Sequence, residues 1–141
     1  MSLSTAELHE LIAHGRLASL EAAVREAVGD AEVLVRTPAE TALTMVRVRD
    51  TVEGTVFNVG EALVTRCEVE LEEQIGWSTV VGDQRRRALC GALLDAAHRR
   101  TDALAEVEAQ LLSELQWCRE QRRERWAAVQ DTRVDFEEMA P

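Results

Sequence analysis

From Glu61 to Glu73 the chain reads EALVTRCEVELEE, with apolar and polar side chains alternating along most of it. A period of two marks a β-strand with two unlike faces. Leu63, Thr65, Cys67, Val69 and Leu71 fall on one face, and Val64, Arg66, Glu68, Glu70 and Glu72 on the other. Such a strand belongs in a sheet whose inner side is covered, and that requirement shapes the rest of the chain. EVLVR and TALTMVRVR read as two further strands, with Pro38 marking a connection between them. GWSTVVG, bounded by Gly76 and Gly82, reads as another. Short connections favour antiparallel pairing. Arg47 and Arg49 are expected to pair across strands with the row of glutamates.

Helices supply the cover. STAELHELIAHG opens with a capping box, Ser4 with Glu7, stops at Gly15, and has an apolar face of Leu8, Leu11 and Ile12. LEAAVREAV sets Leu20, Val24 and Val28 one turn apart and ends at Gly29-Asp30. After Gly82 the pattern is helical, and no glycine or proline occurs between Ala92 and Ala140. Leu89, Ala92, Leu93 and Ala96 form one stripe. Leu104, Val107, Leu111, Leu115, Cys118 and Val129 form a second, within about 80° of one another on a helical wheel. A break is expected near Thr101-Asp102. The expected fold class is therefore α+β: N-terminal helices, a small antiparallel sheet and a long C-terminal helical arm. At 141 residues the chain is read as one domain, 1–141, with helices plus sheet in 1–82 and the arm and tail in 83–141. An arm this long overhangs a small sheet, so its far end is expected to pack on a partner chain.

Charge narrows the function. The formal net charge is −10, every basic residue is arginine, and residues 1–82 hold 14 acids against 6 arginines. That balance argues against nucleic acid and against acidic membranes as partners. A helix-turn-helix reading fares poorly for the same reason, since Arg16 and Arg25 face Glu21 and Glu26. The N-terminus lacks a basic region and a long apolar core, so the expected compartment is the cytoplasm. Cys67, Cys90 and Cys118 are odd in number and widely spaced, which reads as buried free thiols rather than disulfides or a zinc site.

Candidate chemistry is sparse. HELIAH has one residue too many for a zinc-protease signature, and His9 and His14 lie about 140° apart on a helix, so no metal site is expected. No serine–histidine–acid set, phosphate loop or dinucleotide fingerprint is present, so no catalytic residue is assigned. Asp83 is a plausible N-cap within helical reach of Arg86 or Arg87. Arg85, Arg86 and Arg87 sit in the first turn of a helix, where positive charge opposes the dipole, and are anion-binding candidates for a phosphate, phosphonate or carboxylate. They fan over roughly 200°, so they cannot all grip one anion. Further on, QWCREQRRERW places Arg122 on the apolar stripe with Trp126 four residues later, and Trp117 on the opposite side. Leu111, Leu115, Trp117, Arg122 and Trp126 are the interface candidates. The alternative is docking of this segment on the acidic strand face of Glu68, Glu70 and Glu72.

Three segments together resemble the PhnG family, the G subunits of the carbon–phosphorus lyase core complex that bacteria use to break down phosphonates. FNVGEALVTRCEVEL is similar to the family's FNLGE-type strand and following T-R-C run. GWSTVVGDQRRRALCGALLDAA resembles its glycine-led entry to an Ala/Leu helix, and TRVDFEEM, at 132–139, resembles its Arg-Val-Asp-Phe tail. Gly82-Asp83-Gln84 stands where members commonly carry Gly-Arg-Asp, and Val52-Glu53 where they carry paired glycines. The resemblance implies a non-autonomous subunit of an assembly with the H, I and J subunits, chiefly gripping the I subunit. It implies support for replacing the adenine of ATP by a phosphonate, ATP being the assembly's substrate and the chain having no cofactor of its own. Alone, such a chain is expected to homodimerise by exchanging terminal helices. The rival expectation is a module that binds ATP or phosphonate directly through Arg85, Arg86 and Arg87.

Overall fold

The computed structural model describes residues 3–100 and 104–134. Two helices come first, α1 at Thr5–His14 and α2 at Leu17–Val28. Three strands follow, β1 at Val33–Arg49, β2 at Val56–Leu71 and β3 at Gln74–Val81, and then α3 at Arg85–His98 and α4 at Glu108–Gln130. The strands form one antiparallel sheet in the order β1-β2-β3, so the α+β expectation holds. The interruption expected near Thr101-Asp102 appears as the gap between α3 and α4, although residues 101–103 themselves lie outside the described residues.

The helix signals work as the sequence implies. Ser4 and Glu7 close a reciprocal capping box on α1, and Leu8, Leu11 and Ile12 are buried. Gly29, at φ 53°, ends α2. On β2, Thr65, Cys67, Val69 and Leu71 are buried as expected, whereas Leu63 on the same face is 45% exposed. Cover therefore stops between Leu63 and Thr65. Helix α3 explains why. It lies across β3, β2 and the base of β1, and α1 and α2 pack on it in turn.

The fit of α3 on β3 is close. A Cβ at Gly76 would collide with the backbone carbonyl of Ala92 and the backbone nitrogen of Ala96. Asp95 of α3, 1% exposed, accepts the backbone N–H of Trp77 at 3.1 Å and two donors from Arg99. Ser78 donates to the carbonyl of Ala88. Thr65 donates to the carbonyl of Gly82 at 2.6 Å and accepts from the Gln84 N–H at 2.9 Å, tying β2 to the entry of α3.

Three expectations for the sheet are corrected. Pro38 does not separate two strands: β1 runs through it, with register shifts between Val35 and Thr37 and between Thr37 and Glu40. β1 is an edge strand, and a proline without an N–H is tolerated at an edge or bulge. Arg47 and Arg49 do not meet the glutamate row, because their register partners are Asn58 and Val56 at the far end of the pair. Arg36 with Glu70, Arg66 with Glu40 and Arg100 with Glu72 are the ion pairs made instead. Glu72 is not a strand residue. It and Glu73 form the β2–β3 turn with φ of 45° and 69°, the left-handed geometry a tight hairpin requires and glycine provides most cheaply.

Glu73→Gly is expected to raise unfolding stability by about 1 kcal/mol in urea titration, by removing a left-handed non-glycine residue. Gly76→Ala is expected to lower it by about 3 kcal/mol in the same measurement, since neither colliding group is a movable side chain.

Candidate interaction site

Helix α4 has two halves with different surroundings. Leu111, Leu115 and Cys118, with Leu104 and Val107 just before the helix, are buried in the chain's own core. Leu111 and Leu115, expected at an interface, therefore offer no surface: their stripe is sealed by α1 and α2. Glu114, also buried, accepts the backbone N–H of Arg16 at 2.7 Å and its guanidinium at 3.0 Å. The Arg16 guanidinium then stacks 4.5 Å from the centroid of Trp117. Trp117 is thus half occupied within the chain, as part of a staple joining α4 to the start of α2.

The remaining interface candidates lie further along. Arg122 does not stack on Trp126 as its spacing implied; it reaches Glu10 of α1 at 3.3 Å. Arg119 pairs with Glu7 and Glu10. Arg119 and Arg122 of α4 thus dock on the acids of α1, not on Glu68, Glu70 and Glu72. Beyond them Trp126 is 66% exposed and Val129 is exposed, so the tip keeps an apolar surface. A shallow groove runs there between Arg122, Arg123, Trp126, Ala127 and Gln130.

The three arginines of α3 line one open cavity with Leu17, Asp83 and Gln84 but make different contacts. Arg86 pairs with Glu21 of α2. Arg87 donates to the carbonyls of Ile12 and Gly15, both at 2.8 Å, so it caps the C-terminal end of α1, where backbone carbonyls lack helical partners. Arg85 stays in solvent near Asp83, 3.6 Å away. Asp83 is not the N-cap and does not reach Arg86 or Arg87; Gln84 holds the cap position without a side-chain cap bond. Arg86 and Arg87 are thus engaged by acceptors on α2 and at the end of α1, and Arg85 makes the longest contact of the three.

His9 lies 3.7 Å from Asp95 and edge-on to Trp77, with ring centroids 6.1 Å apart. Among the described residues no group of three or more His, Cys, Asp or Glu is placed to hold a metal ion. Cys67, Cys90 and Cys118 are free and buried, and burial pushes each thiol above its ordinary range.

The feature that sequence reasoning missed is larger than any of these. β3 pairs with β2 only from Val64 onward, so Val56–Leu63 of β2 pairs with β1 alone and the two project as a ribbon. The turn at its end is firm: Asp50 accepts the N–H groups of Val52 and Glu53, which hold its carboxyl below the usual range. Along the ribbon Leu43, Met45, Phe57 and Val59 are all at least half exposed. The signal was present in the sequence as apolar residues on both faces of TALTMVRVR and TVFNVGEAL, a pattern of strands covered on both sides. Among the described residues none provides that cover.

With this architecture the chain belongs to the family described as phosphonate metabolism protein PhnG, whose model matches residues 6–140. The resemblance read from FNVGEALVTRCEVEL, GWSTVVGDQRRRALCGALLDAA and TRVDFEEM holds, and all three segments fall within the matched residues. The chain is similar to the alpha-D-ribose 1-methylphosphonate 5-triphosphate synthase subunit PhnG of Rhizobium meliloti (strain 1021), 38% identical over 106 residues. That alignment takes in 72% of this chain and 65% of the relative.

Hydrogen bonds from Arg16 hold the Glu114 carboxyl below its ordinary value of 4.5. A depressed carboxylate contributes stability fully above the ordinary value and loses it as pH falls through the lower, folded one. Glu114→Gln is therefore expected to cost about 2 kcal/mol at neutral pH. The cost should shrink as the medium is acidified below pH 4.5, as followed by urea unfolding at several pH values.

Proposed function

We propose that this chain is a non-autonomous subunit of a ribose 1-phosphonate 5-triphosphate synthase in organophosphonate catabolism. In that role it supports transfer of a phosphonate onto the ribose of ATP with loss of adenine. Family membership and the subunit name of the Rhizobium meliloti relative support the reading. The observation that carries it is the ribbon: a chain this acidic and soluble in composition leaves a long row of apolar side chains outside its own core.

In this reading ATP is substrate of the assembly, and the chain brings contacts rather than a cofactor. The I subunit is the chief partner and the cytoplasm the compartment. No helix among the described residues is long and apolar enough to cross a membrane. The isolated chain pairs with a second copy through the exposed tip of α4, around Trp126 and Val129.

The test is reconstitution with the other subunits, following adenine release from ATP in the presence of methylphosphonate. The complete set is expected to release adenine, the set without this chain to fall by at least about tenfold, and the isolated chain to release none. Full activity without it, or turnover by the chain alone, contradicts the proposal. Truncation after Thr101 is not a usable control, because it removes Leu111, Leu115 and Cys118 from the core.

A further inference from the structure

We infer that the β1–β2 ribbon is an insertion arm: it enters a cleft of another subunit whose two walls are apolar and whose floor presents carboxylates. The inference rests on the subunit reading above and adds to it the surface used and the chemistry of the surface that receives it.

The first argument is the distribution of exposed side chains over two faces. Register places Leu43 opposite Leu63, and Leu63 shares a face with the buried row Thr65, Cys67, Val69 and Leu71. Met45 continues that face. Val48 is opposite Phe57, with Val46 two residues away, on the reverse side. Leu43, Met45 and Leu63 are 63%, 51% and 45% exposed; Val46, Val48 and Phe57 are 41%, 40% and 50% exposed. A flat partner would dry one of these faces and leave the other in water. A cleft dries both.

The second argument is area. Nine large apolar residues between Ala42 and Leu63 are exposed, and at roughly half exposure they offer on the order of 800 Å², about what one partner gives to a stable interface. This exceeds the apolar patch an ordinary monomer displays. It is also more than the tip of α4 can offer with Trp126 and Val129.

Charge sets the floor. Among the described residues Arg47 forms no ion pair, and Arg49 donates to the carbonyl of Gly54. Asp50, the nearest acid in sequence, is engaged by the backbone of the turn. Two guanidiniums at the outer end of an apolar arm match carboxylates at the floor of a cleft. Glu61, opposite Met45 in the same ribbon, makes no ion pair with either arginine among the described residues, and Glu68 and Glu70 lie at the opposite end of the sheet. Both strands of the ribbon also present unpaired backbone edges beyond Val64, which a cleft encloses.

The test uses the co-expressed G, H, I and J subunits with an affinity tag on the I subunit, reading how much of this chain is recovered. Leu43→Glu with Met45→Glu alters one face, and Val48→Glu with Phe57→Glu the other. Each pair is expected to cut recovery by about tenfold or more, and Arg47→Glu by about threefold. Thermal unfolding of each purified chain checks folding, and single Leu43→Ala and Phe57→Ala changes replace any pair that fails to fold. Loss on only one face shows a flat contact and overturns the inference, as does unchanged recovery. A dimer of the isolated chain that these substitutions break assigns the ribbon to a second copy and also overturns it. If the ribbon variants are recovered normally while adenine release still requires this chain, the arm fails and the subunit reading stands. If the unaltered chain is not recovered at all, both fail.

Discussion

Everything in this molecule is positioned by the contact of α3 with β3 at Gly76. The helix backbone lies directly on a strand residue that has no side chain, and Asp95 pins it by taking the N–H of Trp77. That contact fixes the helical layer at one end of the sheet. A 14-residue helix is about 21 Å long, whereas 17 residues of strand span about 56 Å. One cannot cover the other. The apolar residues of Thr65–Leu71 find a helix above them, and those from Leu43 to Leu63 do not.

The same geometry explains why α4 is only partly an arm. Its first three turns complete the core that α1 and α2 begin, with Glu114 and Arg16 joined at the centre. Arg119 and Arg122 then follow the acids of α1 until that helix runs out. Past this point Trp126 and Val129 are exposed. Two apolar projections leave one small body, a strand ribbon and a helix tip, and the ribbon is the larger.

Much of the fold was legible because local signals and tertiary needs agree. The Ser4–Glu7 box, Gly15, Gly29 and the alternation of Thr65 to Leu71 each state one thing, and the structure makes the same use of them. Pro38 misled because a proline reads as a break unless the strand is known to be an edge, and edges are set by topology. Arg47 and Arg49 misled because register is not local. The partners of Arg86 and Arg87 were not legible because the carboxylate of Glu21 and the carbonyls of Ile12 and Gly15 lie more than sixty residues away in sequence. Leu111 and Leu115 belonged to a correctly read stripe, but periodicity gives the apolar side of a helix and not the molecule that covers it. The ribbon was missed for a related cause: its strands were recognised, but how far the helices extend over them is a matter of packing.

Amide hydrogen exchange over Leu43–Leu63, compared between the isolated chain and the assembled subunits, bears most directly on the claim that another polypeptide completes this protein. The account predicts that amides on the outward edges of the ribbon exchange fast in isolation and slow by at least about tenfold on assembly, with the core of Thr65–Leu71 unchanged. Equal exchange in the two states, with assembly shown to be complete, would contradict it.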